Sequence, residues 1–141
     1  MLPAIFVHTH RVTYAECTIG DHIYYARYLD LLEAARGEFF RHLGVTLRQL
    51  TEGDTLFPVI EACVSYKGAA RYDDVLRIEL WLTELERVRL NFAYRVVNEQ
   101  GRILVEAKTR HACTTAREKP KRVPAAVVAR LEPYICESMA G

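Results

Sequence analysis

Four runs of alternating apolar residues follow one another between Pro58 and Thr109, and one segment ahead of them carries a strong helical period. Alternation with a period of two puts every second side chain on one face of a strand. Ile60, Ala62, Val64 and Tyr66 make the first such face, and Leu76, Ile78, Leu80 and Leu82 the second. Leu90, Phe92, Tyr94 and Val96 make the third, and Ile103, Val105, Ala107 and Thr109 the fourth. Asn98-Glu99-Gln100-Gly101 reads as a hairpin turn, and Gly68 and Asp73-Asp74 punctuate the earlier runs. Short connections make the four runs an antiparallel meander. The helical segment extends from about Tyr24 to Leu43, with Tyr28, Leu32, Ala35, Phe39 and Leu43 as its apolar stripe. Leu29 and Phe40 widen that stripe on one flank, and Arg27, Asp30, Glu38 and Arg41 lie opposite. Gly44 stands where a helix ends in a left-handed residue. Ile5 to Tyr14 reads as a further strand, Glu16 to His22 as a loop, and Pro124 to about Glu132 as a short helix. One long apolar helix must bury its stripe against the sheet. The expectation is an α+β domain spanning 1–141, its helix wrapped by about five antiparallel strands. Its open sheet edges invite pairing between copies.

The balance of charge and apolarity excludes several classes. The formal net charge is +1, which provides no bulk field for nucleic acid or an anionic membrane. No apolar run reaches the roughly 20 residues of a spanning helix. Met1 to Val7 lacks the basic region of a signal peptide. Cys17, Cys63, Cys113 and Cys136 are far apart and form no CxxC pair, so reduced thiols rather than a disulfide frame or zinc site are expected. These features point to a cytoplasmic protein that uses no metal and no organic cofactor.

The stretch Tyr14-Ala15-Glu16-Cys17-Thr18-Ile19-Gly20-Asp21-His22-Ile23-Tyr24-Tyr25-Ala26-Arg27-Tyr28-Leu29, followed by Glu33-Ala34-Ala35-Arg36, resembles the hotdog-fold thioesterases of the 4-hydroxybenzoyl-CoA thioesterase type. His22-Ile23 with Ala26-Arg27-Tyr28-Leu29 also looks like the long-chain acyl-CoA thioesterase branch. Ala70-Arg71-Tyr72-Asp73-Asp74-Val75-Leu76 resembles the family's second-strand junction, and Lys121-Arg122-Val123-Pro124 its closing segment. The resemblance implies a hotdog fold, a homodimer or homotetramer with its site at a subunit interface, and hydrolysis of acyl-CoA or acyl-carrier-protein thioesters. It also implies that the Tyr25 amide is an oxyanion donor. One departure matters: the second Asp of the family's Asp-x-Asp, its usual nucleophile or base, is Thr18 here, and the first is Glu16.

Hydrolysis of a thioester needs a polarised carbonyl, an activated water and a held substrate. The unpaired amides at a helix start suit the first need, and this helix starts near Tyr24-Tyr25. Both tyrosines also read as packing aromatics at a dimer seam. Asp21, Glu16 and Glu33 are the candidate bases. Asp21 reads more readily as a helix N-cap, and Glu33 equally as a partner of Arg36 one turn on. Glu16 reads as a solvated loop carboxylate. Thr18 can orient a water or the thioester oxygen but is no strong base. His22 is either an acid/base or a structural donor to a carbonyl. Cys17 lacks the His/Asp partners of a nucleophile. For the phosphates of coenzyme A the sequence offers Lys67, Arg71, Arg87 and Arg89, with Tyr24 on the substrate. The run Arg117, Lys119, Lys121 and Arg122 is a further basic stretch that also reads as a solvated tail. The alternatives to a thioesterase are a hotdog dehydratase or isomerase, and a non-catalytic hotdog that binds acyl groups or a partner protein.

Overall fold

The computed structural model describes residues 3–136, so Met1 and Leu2 of the N-terminal stretch and the end of the 1–141 span lie outside the described residues. Its strands are β1 (Phe6–Arg11), β2 (Cys17–Thr18), β3 (His22–Ile23), β4 (Val59–Tyr66), β5 (Val75–Leu85), β6 (Arg89–Val97) and β7 (Ile103–Ala112). Its helices are α1 (Arg27–His42), α2 (Leu47–Glu52) and α3 (Ala125–Leu131). Five strands form one antiparallel sheet in the order β1-β5-β6-β7-β4, and β2 and β3 form a small separate hairpin.

Only β5, β6 and β7 are a meander. β4 does not join β5, as the short connections suggested, but lies at the far edge beside β7. β5 has β1 on one side and β6 on the other, so neither of its edges is open. The connection 67–74 is long enough for the crossing: eight residues reach about 26 Å, against roughly 15 Å for three strand spacings.

The inward faces agree with the alternation. Leu76, Ile78, Leu80, Leu82, Leu90, Phe92, Tyr94, Val96, Val105, Ala107 and Thr109 are buried. They pack on Tyr28, Leu31, Leu32, Ala35, Phe39 and Phe40 of α1. The face assigned to β4 needs one correction. A bulge between Val59 and Glu61 displaces Ile60, so that Val59 stands opposite His111 while Ala62, Val64 and Tyr66 stand opposite Thr109, Ala107 and Val105. The whole strand is exposed except for half-buried Val64.

Helix α1 begins at Arg27, not Tyr24. Tyr24 to Ala26 form a turn whose Tyr24 carbonyl accepts from the Arg27 amide at 2.8 Å. Leu29 is exposed rather than part of the stripe, and Leu31 takes the buried flank. At the other end Gly44 has φ +83°. A Cβ there would be strained and would sit 3.4 Å from the Arg130 guanidinium, which donates to the Leu43 carbonyl. The solvent side of α1 carries Arg27–Asp30 and Glu38–Arg41 pairs of 3.3 and 3.5 Å. Strand β1 ends at Arg11 because Val12 turns to Asp74 and Thr13 caps a single 3-10 turn, 14–16. Helix α2 starts on a capping box, Thr46 with Gln49, and beyond it Phe57 stacks on Phe40 of α1 with rings 5.7 Å apart.

Candidate active site

The Tyr24–Ala26 turn opens on a cavity of about 390 Å³ lined by Thr18, His22, Tyr24, Tyr25, Tyr28, Tyr66 and Gly68 among others. The turn is pinned from several sides. The Tyr24 amide donates to the Glu16 carbonyl at 3.0 Å, and the Tyr66 hydroxyl donates to the Tyr25 carbonyl at 3.0 Å. Behind it the Tyr28 hydroxyl accepts from the Ala70 amide at 3.2 Å, and the Ile23 amide donates to the Ala70 carbonyl at 2.9 Å. Helical bonding starts with the Arg27, Tyr28 and Leu29 amides, which donate to Tyr24, Tyr25 and Ala26. The Tyr25 and Ala26 amides therefore have no acceptor among the described residues. They are the orphan donors of a helix start, where the dipole is positive. Gly68, on the cavity wall, lets the chain pass close to its neighbours: a Cβ there would meet Leu104 at 2.9 Å and Arg102 at 3.0 Å.

Around this cavity the titratable groups separate by role. His22 Nδ1 lies 3.2 Å from the Ile23 carbonyl, which can only accept, so Nδ1 donates and in the neutral ring Nε2 is the acceptor. Asp21 is neither a helix cap nor a cavity wall. It sits exposed at φ +59° in the β2–β3 turn, and the α1 N-cap is Ala26 with no side-chain bond. Glu16 is not a solvated loop carboxylate. Burial would push it up, but bonds from the Thr13 amide (2.7 Å), His10 Nε2 (2.9 Å) and the Thr13 hydroxyl (2.9 Å) hold it below the usual carboxylate range. Burial, then Asp21 and Glu16, push the Cys17 thiol up, and its Sγ donates to the Thr13 carbonyl at 3.6 Å. It is no ready thiolate. Burial also raises the Tyr28 phenol, which stays protonated.

Glu33 belongs to a second cavity of about 370 Å³, with Arg36, Phe40, Phe57, Val59, Phe92 and His111 among its lining. Glu33 is exposed and forms no ion pair among the described residues, whereas Arg36 turns inward to the Tyr94 hydroxyl at 3.0 Å. The two cavities share no residue and meet opposite ends of β4, at Tyr66 and Val59. Seven residues of strand separate those ends by about 23 Å.

The basic residues divide the same way. Lys67 and Arg71 flank the first cavity, and Arg71 Nη1 donates to the Gly20 carbonyl at 3.0 Å, tying down the β2–β3 turn. Arg87 and Arg89 lie at the other end of the sheet. Arg87 shares a third cavity, of about 460 Å³, with Arg122. Lys121 is engaged by the Gly53 and Asp54 carbonyls at 2.9 and 3.1 Å rather than solvated. Among the described residues no three His, Cys, Asp or Glu side chains stand close enough to hold a metal ion, and no helix is long and apolar enough to cross a membrane.

A single long helix cradled by a curled antiparallel sheet, with orphan amides at the helix start facing a cavity, is the hotdog arrangement of the thioesterase-like proteins. The chain belongs to the thioesterase-like superfamily, whose family profile matches residues 12–131. It is similar to the acyl-CoA thioester hydrolase YbgC of Escherichia coli O157:H7, with 32% identity over 123 residues that cover 86% of this chain and 92% of that protein. The acyl-CoA thioesterase YbgC of Haemophilus influenzae is 33% identical over 84% of this chain and 88% of its own length. The crystal structure of a probable thioesterase from Bartonella henselae superposes with a TM-score of 0.81 at 28% identity, covering 86% of this chain and 100% of that one.

Proposed function

We propose that the chain hydrolyses acyl thioesters of coenzyme A or acyl carrier protein, at a site completed by a second copy of itself. The observation that carries this reading is the orphan amide of Tyr25, a residue that lines the cavity with Thr18 and His22, beside a second orphan amide at Ala26. A thioester carbonyl on the Tyr25 N–H gains charge in the tetrahedral intermediate, where a fixed donor stabilises it most. Water attacks the carbonyl carbon, the base takes its proton, and collapse of the intermediate expels the thiol with that proton. Thr18 orients the water or the thioester oxygen, and Tyr24 covers the substrate.

The first cavity is lined by no carboxylate. Two features favour a partner as its source. Strand β4 is an edge with both faces exposed, Val59, Ile60 and Tyr66 being 46, 54 and 47% accessible. Pairing two copies antiparallel about the middle of β4 sets the Val59 end of one against the Tyr66 end of the other. The second cavity of one subunit then borders the first cavity of its partner, and Glu33 of the partner subunit serves as the base. A second reading makes His22 Nε2 the base, favoured by its fixed lone pair at the cavity wall. Lys67 and Arg71 of one subunit and Arg87 and Arg89 of its partner are available to the coenzyme's phosphates. The assembly is a homodimer or a pair of homodimers, each chain a single domain, and the reduced thiols of Cys17, Cys63 and Cys113 suit the cytoplasm.

Release of free thiol from a panel of acyl-CoAs tests the activity, with light scattering for the assembly. Turnover abolished by Glu33→Gln in a folded dimer supports the first reading. Turnover abolished by His22→Gln alone selects the second. No thiol release from any acyl thioester contradicts both.

A further inference from the structure

A line of polar side chains that the reaction above does not use runs beneath the second cavity. Arg36 Nη1 donates to Tyr94 Oη at 3.0 Å, and Tyr94 Oη lies 2.5 Å from Thr109 Oγ1. Thr109 Oγ1 lies 2.8 Å from His111 Nε2, and His111 Nδ1 lies 3.0 Å from the Phe57 carbonyl. Tyr94, Thr109 and His111 are 1, 2 and 1% exposed. The two ends give the line one direction. A carbonyl only accepts, so His111 Nδ1 carries the proton, and with the imidazole neutral Nε2 accepts from Thr109. The Thr109 oxygen then accepts from the Tyr94 hydroxyl, whose oxygen accepts from Arg36, a group that only donates. Every member is satisfied in this order. Burial, aided by the Arg36 charge, lowers His111 to about 4 against the opposing pull of the Phe57 bond. Burial raises Tyr94, so both stay neutral near pH 7.

Such a line fixes the guanidinium but uses one of its donors. The rest open on a cavity walled by Phe40, Phe57 and Phe92, with no carboxylate within ion-pair distance among the described residues. A half-buried guanidinium against aromatic walls is costly unless an acceptor meets it. Arg36 stands three residues past Glu33 on α1, about 4.5 Å deeper along the helix.

We propose that Arg36 is a specificity-determining residue of this cavity, selecting acyl groups that carry an oxygen acceptor, a hydroxyl or a carboxylate, a few carbons beyond the thioester. Tyr94, Thr109 and His111 are its positioning residues. The proposal rests on the hydrolase reading for the thioester, but not for recognition of the acyl group, and its test separates the two.

Binding of three non-hydrolysable thioethers of coenzyme A with six-carbon chains, S-hexyl, S-(6-hydroxyhexyl) and S-(5-carboxypentyl), is measured by calorimetry on the wild-type protein. The oxygen-bearing thioethers are expected to bind about tenfold or more tightly than the S-hexyl one, the worth of a hydrogen bond to a charged donor. Preference for both selects any oxygen acceptor, and preference for the carboxypentyl thioether alone selects a carboxylate. Arg36→Met abolishes the preference. Thr109→Val weakens it and Thr109→Ser, which keeps the hydroxyl, retains it; this pair decides the matter if Arg36→Met fails to fold. With the matching acyl-CoAs, Thr109→Val raises KM for the oxygen-bearing substrates and leaves kcat, an effect that a general loss of stability would not confine to them. Equal binding of the three thioethers, or a preference that survives both Arg36→Met and Thr109→Val, overturns the inference. An Arg36-dependent preference without thioester turnover would instead leave it standing and remove the hydrolase reading.

Discussion

Acidification should destabilise this protein through one identifiable residue. His111 is 1% exposed and is lowered from its ordinary 6.5 to about 4, chiefly by burial. Between those values the unfolded chain binds a proton at His111 that the native state refuses. Stability is therefore present above pH 6.5 and is lost as pH falls toward 4. At ~1.4 kcal/mol per pH unit the gap corresponds to about 3 kcal/mol. A protonated ring has two donors, so Thr109 would have to accept from it as well as from Tyr94, and the Thr109 hydroxyl proton would lose its acceptor. The clean perturbation is His111→Asn, which keeps a donor toward the Phe57 carbonyl and does not titrate. At pH 7 that variant is expected to be less stable by about 1–3 kcal/mol, because the Thr109 hydroxyl loses its acceptor. The assay is denaturant unfolding of both proteins at pH 7, 6, 5 and 4 and at one protein concentration. Carboxylates common to both cancel in the difference. The wild-type advantage should shrink by about 3 kcal/mol between pH 7 and 4. An advantage that stays constant across that range would refute the neutral, directional network.

Tyr25→Pro removes the amide that faces the thioester carbonyl while suiting a helix start, and should lower kcat by about 10²–10³ with the fold kept by circular dichroism; an unchanged kcat would remove the oxyanion role. Asp21→Asn should leave kcat within about twofold, since the residue lies outside the cavity and Asn tolerates its left-handed backbone; a large loss in steady-state assays would return it to the site. Cys63→Lys sets two like charges near the two-fold axis of a β4–β4 pairing and should weaken self-association by at least about 1 kcal/mol in sedimentation equilibrium; an unaltered dimer would move the interface elsewhere.

Residue patterns carried most of the architecture and less of the site. The faces from Leu76 to Thr109 were legible because their alternation is unbroken and one side is fully buried. The place of β4 was not, since edge position depends on which neighbour each strand finds, and the bulge at Ile60 shifts parity by one residue inside a run of apolar residues. The start of α1 was read three residues early because Tyr24, Tyr25 and Ala26 extend its composition while forming a turn. The Thr46–Gln49 box was a readable start signal for α2. At the site, the Tyr25 amide was reached through the family resemblance and the helix-start argument together. Asp21 as a cap and Arg36 as the partner of Glu33 followed sequence spacing, which carries no information about long-range partners; Arg36 instead finds Tyr94, 58 residues away. The polar line had a signal. Thr109 was on the inward face, and His111 continues that parity, so two polar groups stood where a core strand asks for apolar ones.

If one site draws on two subunits, two variants inactive by themselves should complement each other when mixed. Glu33→Gln and Tyr25→Pro dimers are unfolded together, refolded as a statistical mixture, and assayed for thiol release from an acyl-CoA. Half the dimers are then mixed, and each mixed dimer holds one site with an intact Tyr25 amide facing an intact Glu33. About a quarter of wild-type activity should then be recovered. A mixture as inactive as its parents, with exchange verified by mass spectrometry, would place the whole site within one chain.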